Sequence, residues 1–400
     1  MDEGYFMPAK RICLDQAATS FPKPPGVAEA VLNYMTANGS NVSRSSYKSA
    51  YEAEDTVLET RELLCTLFGW DDPACVIFTS GVTASLNWLI KGLLRPGDHV
   101  LVSSMEHNAV MRPLVQLQKS GVTFDRIPAD ENGQMDLSSL PGLVRDNTKA
   151  LICTHASNVN GAVNPLERLG SFCKEQGLTF IVDTAQSAGR CPIDMKALSI
   201  DCLAFTGHKG LLGPQGTGGF IIRKELAERM EPLMAGGTGS FSHTELIPEA
   251  LPDRFEPGTP NLPGIFGLNA ALKWILETGC GNIYAKEKAL YDRLKEGLGA
   301  TDGVRIVGCP KECGESISPM PVLSVTTPGR DAALVSALLD EQASVQTRVG
   351  LHCAPSAHRT LGTFPEGTLR FSPGYFTREE EIDFCVEAMR NVLKQIPLGT

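Results

Sequence analysis

The segment Thr206-Gly207-His208-Lys209-Gly210 sets a lysine directly after a strand-like run, and Asp183 closes the strand before it. A lysine amine can hold an aldehyde cofactor as a Schiff base once it sheds its proton, which desolvation and neighbouring positive charge favour. A carboxylate at the end of the adjacent strand would keep a pyridine nitrogen protonated, so that the ring accepts electrons. Lys209 with Asp183 therefore points to pyridoxal 5'-phosphate chemistry. Gly207 and Gly210 suit a close backbone approach better than a solvated face.

Such a cofactor needs a phosphate site and a partner for its flat ring. Phe78-Thr79-Ser80-Gly81-Val82-Thr83 runs from a strand through Gly81 into a helix start, where backbone N–H groups and the helix dipole attract an anion. Thr83 can add a hydroxyl there; the competing reading makes it an N-cap. Thr206 and His208 are further donors to the same phosphate. His107, between a strand and a helix, is placed to stack on the ring and move protons, with a capping or core histidine as the alternative. Asn158 and Gln186 can hydrogen-bond the ring hydroxyl, although such amides commonly serve loops. Each of these lies at the carboxyl end of an expected strand, where open α/β sheets bind ligands.

The elements that must position them alternate. Strands are expected at 74–79, 99–104, 123–128, 150–155, 179–183, 202–206 and 219–223, mostly as continuous apolar runs covered on both faces. Amphipathic helices are expected at 83–94 and 107–120. The pattern predicts an α/β domain with a mostly parallel sheet. A Gly- and Pro-rich loop spans 234–263, and a long helix over 264–298 leads to strands at 303–307, 321–326, 343–348 and 368–372 and helices at 331–341 and 378–395. The division expected is a large domain at 25–263 and a smaller α+β domain built from 1–24 and 264–400.

Four hundred residues favour two domains. A net charge of −10 argues against nucleic-acid or acidic-membrane partners. No apolar run reaches the ~18 residues that cross a bilayer, and residues 1–10 lack a signal-peptide core, so a cytoplasmic protein is expected. The twelve cysteines follow no secreted-scaffold spacing, and Cys309 with Cys313 is too small a set for zinc, so no metal is expected.

Taken together, Ser80-Gly81-Val82-Thr83, Glu106-His107-Asn108, Ser157-Asn158, Asp183-Thr184-Ala185-Gln186, Thr206-Gly207-His208-Lys209 and Gly258-Thr259-Pro260-Asn261 resemble the class V aminotransferase family of fold type I. Within it the chain is similar to the cysteine desulfurases, from Leu14-Asp15-Gln16-Ala17-Ala18-Thr19 to the C-terminal helix. The resemblance implies a PLP-dependent homodimer in which Thr259 reaches the phosphate of the partner subunit's cofactor. It implies Lys209 as the Schiff-base lysine, Asp183 as the pyridinium partner and His107 as the stacking acid/base. Gln186 and Asn158 would lie at the ring hydroxyl, and Gly81, Val82, Thr83, Thr206 and His208 at the phosphate.

The segment Arg348-Val349-Gly350-Leu351-His352-Cys353-Ala354-Pro355 resembles the catalytic-cysteine loop of the shorter-loop desulfurases. Cys353 would take sulfur from L-cysteine as a persulfide, leave L-alanine, and pass the sulfur to an acceptor protein. Arg348 and His352 would make the loop electropositive and favour the thiolate. Arg370, with Arg348 on the substrate side, would grip the α-carboxylate, a strand-end salt bridge being the alternative. Two departures stand out: Asn41–Ser46 replaces a segment in which relatives carry Arg-Gly and histidines, and Val82 replaces a frequent threonine. The rivals are a selenocysteine lyase acting on L-selenocysteine, another PLP-dependent lyase or aminotransferase, and a non-catalytic docking protein.

Overall fold

The apolar runs assemble into a seven-stranded sheet. The computed structural model of the chain describes residues 11–42, 47–310 and 319–399. After the short β1 (Ile12–Cys13) come β2 (Val76–Thr79), β3 (His99–Ser103), β4 (Thr123–Ile127), β5 (Thr148–Thr154), β6 (Thr179–Asp183), β7 (Cys202–Thr206) and β8 (Gly218–Ile222). The order is β2-β8-β7-β6-β5-β3-β4, with β8 antiparallel to both neighbours and every other pair parallel.

Alternation along each strand feeds two separate cores. Leu101, Phe180, Val182 and Leu203 pack on one face with helices Lys48–Phe68, Leu166–Gln176 and Leu262–Thr278. Val100, Val102, Ile181 and Ala204 pack on the other with helices Val82–Leu93 and Asn108–Leu117. The chain runs outward from β3 to β4 and then returns to the other side of β3 as β5. That reversal opens a crevice at the carboxyl ends of β3 and β5.

The second unit is a sheet of β9 (Arg305–Ile306), β10 (Leu323–Thr326), β12 (Arg348–Gly350) and β13 (Thr368–Phe371), ordered β12-β13-β10-β9 and wholly antiparallel. Its core joins Leu294, Val335, Leu339, Ile382 and Met389 to Ile12 and Leu14 from the other end of the chain. The single strand expected at 343–348 is two: β11 (Val345–Gln346) pairs in parallel with β1, whereas β12 belongs to the four-stranded sheet. The helix expected over 264–298 also divides, into Leu262–Thr278 and Cys280–Gly299, at Gly279 with φ 85°. Leu268, Leu272 and Ile275 of the first half pack in the core of the large sheet, although the sequence division grouped them with the small unit.

Two ion pairs lock distant segments. Arg61 makes a paired contact with Glu256, whose Oε1 also accepts from the Phe78 N–H at 2.6 Å, so the 234–263 stretch is tied to β2. Arg190 Nε lies 2.5 Å from Glu287 Oε2, with side chains only 4% and 1% exposed. Removing one partner of so buried a pair strands the other charge, so Glu287→Ala should cost about 3 kcal/mol or more. Urea unfolding would read this as a lower midpoint at unchanged slope.

Among the described residues, no helix is long and apolar enough to cross a membrane, and no group of three or more His, Cys, Asp or Glu could hold a metal ion. Cys309 is exposed, while Cys313 and residues 43–46 lie outside the described residues.

Candidate active site

A cavity of about 340 Å³ opens at the carboxyl edge of the large sheet. Lys209, Asp183, His107, Gln186 and Asn158 line it, as do Gly81, Val82, Thr83, Thr206 and His208. The ends of β2, β3, β5, β6 and β7 each contribute part of it.

Lys209 lies in the turn after β7. A Cβ on Gly207 would come 2.1 Å from Thr217 Oγ1, and one on Gly210 would come 2.2 Å from the Ala188 carbonyl, so only glycine allows this turn to pack. The N-terminal segment clamps it from the other side: the His208 carbonyl accepts from Ser20 N (2.9 Å), Ser20 Oγ (3.0 Å) and Lys23 Nζ (3.2 Å). Burial lowers Lys209 to about 8, aided by Arg370, Arg190 and Arg348 and opposed by Asp183. The amine can therefore be neutral near physiological pH.

Asp183 ends β6 in full burial, and the Ala185 N–H donates to its Oδ1 at 2.8 Å. Burial raises its pKa, against the pull of that N–H and of Lys209. Beside it Glu106, absent from the expected site, bridges β3 to β5: its Oε1 accepts from Ser103 Oγ and from the Thr154 N–H (2.7 Å). Burial pushes the Glu106 carboxyl up to about 8.

His107 caps helix Asn108–Leu117, its Nδ1 accepting from the Ala109 N–H at 3.0 Å. The cap occupies the Nδ1 lone pair, so the ring proton sits on Nε2. Burial, with Lys209, Arg112 and Arg370 nearby, lowers His107 to about 4. The capping reading and the site reading thus describe one residue.

The N-cap of helix Val82–Leu93 is Gly81 (φ 151°), not Thr83, and no side chain caps it. Its first N–H groups are open to an anion beside Thr206. Val82 faces the cavity without a hydroxyl to offer. Two buried polar atoms on the wall have no partner, Gln186 Oε1 and His208 Nδ1; the Gln186 amide N–H is already given to the Ala17 carbonyl at 3.0 Å.

The 350–354 loop is tied to the cavity wall through its backbone. Asn108 N donates to the Cys353 carbonyl (2.7 Å), Asn158 Nδ2 to the His352 carbonyl (2.8 Å), and Arg370 Nη1 to the Asn158 carbonyl (2.9 Å). His352 and Cys353 both hold positive φ (47° and 57°), a conformation costly for side-chain-bearing residues and kept by the surrounding bonds. The Cys353 thiol is exposed. The positive group beside it is Arg370, not His352. Burial drives His352 down to about 2, with Arg370 and His358 adding to it, so that ring is neutral and cannot supply the charge expected of it.

Thr259 is exposed and lines a neighbouring cavity with Glu256 and Asn261, not the one that Lys209 lines. Arg348 is half exposed and bonds Asp15, a residue to which the sequence reading gave no role.

The buried histidines give the fold an acid dependence. His155, His352 and His358 are held neutral by burial, His155 and His358 at about 4. Unfolded, they take up protons below about pH 6.5, so folded stability drops as pH falls, by up to ~1.4 kcal/mol per pH unit for each. Glu106 has the opposite sign between its ordinary 4.5 and about 8, because the folded acid keeps a proton that the unfolded one releases. Asp183 acts in the same sense. His107 and His208, also lowered to about 4 by burial, add to the three histidines, and together they outweigh these two acids, so urea unfolding should show stability decreasing from pH 6.5 to 4.5. A flat profile would mean that the rings are charged in the fold.

The sequence matches the family described as Aminotransferase class-V over residues 12–384. It is 30% identical to a probable cysteine desulfurase of Methanothermobacter thermautotrophicus, covering 95% of this chain and 94% of the relative. It is 32% identical to the cysteine desulfurase IscS of Vibrio campbellii, covering 95% and 92%. Two solved structures superpose over nearly the whole chain. They are the apo cysteine desulfurase from Thermococcus onnurineus NA1 (TM-score 0.88, 32% identity, 96% of this chain and 95% of that one) and the S-sulfonic acid form of the cysteine desulfurase CsdA from Escherichia coli (TM-score 0.86, 29% identity, 97% and 96%). By its match over residues 12–384 and its likeness to relatives over nearly its whole length, this chain belongs to the class-V aminotransferase family.

Proposed function

We propose that this protein is a PLP-dependent cysteine desulfurase that converts L-cysteine to L-alanine and keeps the sulfur as a persulfide on Cys353. The observation that carries this is the exposed Cys353, whose backbone carbonyl accepts from the N–H of Asn108, the residue that follows His107 of the cavity wall. The other candidates are poor nucleophiles: burial raises Cys65, Cys173, Cys191 and Cys385 to about 12. Cys309 is exposed but lies on the 307–310 segment, bonded to Asn132.

The residues fit pyridoxal phosphate. The uncapped helix start and Thr206 suit its phosphate, the unpartnered Gln186 and His208 atoms suit its polar edge, and Asp183 suits its ring nitrogen. When bound, the cofactor supplies an electron sink at the carbon bearing the amino group. Lys209 would hold it and move a proton near that carbon; its lowered pKa suits the task. His107, on the cavity wall, would face the ring with its own proton at Nε2. Asn158 supports the cysteine loop through His352 as well as facing the ring. Arg370 receives the α-carboxylate with its unpartnered Nε.

In the transfer itself the Cys353 thiolate attacks the substrate sulfur. One S–S bond forms and one C–S bond breaks, and the electron pair stays with the carbon, which takes up a proton. No outside oxidant is needed. A homodimer in which each Thr259 serves the partner subunit's phosphate fits its exposure and its absence from the lining of the Lys209 cavity in one chain. Incubating the PLP-loaded protein with L-cysteine and a thiol reductant should release alanine and sulfide in equal amounts. Release of pyruvate with ammonia would favour a β-eliminating lyase instead.

A further inference from the structure

The antiparallel register of β12 and β13 sets Arg348 directly opposite Arg370. Like charges at opposed positions repel, and Arg370 is only 2% exposed, so water does little to screen it. One carboxylate answers both. Asp15 Oδ1 lies 2.8 Å from Arg370 Nη2, and Asp15 Oδ2 lies 3.1 Å from Arg348 Nε. Its backbone is fixed for this: Asp15 bridges Ser372 just past β13, Ser372 N donates to the Leu14 carbonyl (2.7 Å), and Ala17 N donates to Ser372 Oγ (2.9 Å).

The three side chains sum to one positive charge, and the buried Arg370 Nε remains without a partner. That suits one carboxylate. We propose that Asp15 is a positioning residue that sets the charge of the accepted substrate: it aims Arg370 at a single α-carboxylate and cancels Arg348. An amino acid with a second anionic group on its side chain then gains nothing from Arg348. The inference rests on the reading of Arg370 as the α-carboxylate partner.

The test compares competitive inhibition of the PLP-loaded enzyme by L-cysteate, which carries a side-chain sulfonate, and by L-alanine, which does not. Asp15→Asn frees Arg348, so the ratio of the L-cysteate to the L-alanine inhibition constant should fall about tenfold or more. Arg348→Gln should raise that ratio, because Asp15 is then left less compensated beside a dianion. A purely structural role would weaken both inhibitors together and leave the ratio unmoved, which overturns the proposal. A fall in the ratio with Arg348→Gln overturns it too. Thermal melting reports whether Asp15→Asn folds; if it does not, Arg348→Gln, at a half-exposed side chain, decides alone. A wild-type enzyme that neither makes alanine from L-cysteine nor is inhibited by L-alanine overturns the desulfurase reading itself, whereas an active enzyme with an unmoved ratio overturns only the role of Asp15.

Discussion

Cys353→Ser is expected to lower alanine formation from L-cysteine by about 10³-fold or more, while cofactor binding and melting temperature stay near wild type. A hydroxyl fills almost the same volume, and the loop is held through backbone carbonyls of His352 and Cys353, so its geometry should survive the change. What disappears is the sulfur nucleophile. The burial-raised thiols elsewhere cannot take over, because at neutral pH almost none of their population is thiolate. A β-eliminating or transaminating enzyme would keep its turnover in this variant. Steady-state alanine release, with sulfide measured in parallel, separates the outcomes.

Lys209→Ala should be more severe, removing turnover altogether and with it the covalent hold on the coenzyme. In the wild type, borohydride should fix pyridoxal phosphate to Lys209, and the loaded protein should absorb near ~420 nm. In the variant neither signal should remain, although the phosphate site at the start of helix Val82–Leu93 is untouched and weak reversible binding should persist. The substitution also leaves Asp183 without its positive neighbour. Since burial already raises that acid, Lys209→Ala without coenzyme should favour its protonated form further.

Much of this architecture is legible in the chain. Strands covered on both faces read as unbroken apolar runs, and the run through Val100, Leu101 and Val102 feeds both cores in turn. Residues at the carboxyl ends of those runs converge because every βα unit of a parallel sheet points the same way. Helix Lys48–Phe68 is not announced by the sequence, because Tyr51 and Leu58 are exposed on its outer face and blur the helical period. The break at Gly279 carried a signal in Gly279-Cys280-Gly281 that the helical pattern on either side masked.

The site was legible to the extent that its members sit at strand ends. Asp15 and Arg370 are partners across 355 positions, and no local pattern announces a contact of that kind. His352 was expected to carry charge because it stands next to Cys353. Burial first, then its tertiary neighbours Arg370 and His358, decide otherwise. Glu106 stood inside a recognised motif, but its link from β3 to Thr154 on β5 emerges only once the sheet is assembled.

The most direct measurement of the central claim is peptide mass spectrometry on the PLP-loaded protein, taken after L-cysteine is added and before any reductant. The account predicts a mass gain of about 32 Da confined to the peptide that contains Cys353, absent from Cys353→Ser. Alanine accumulating with no adduct on that peptide, or an adduct on Cys309 instead, would contradict it.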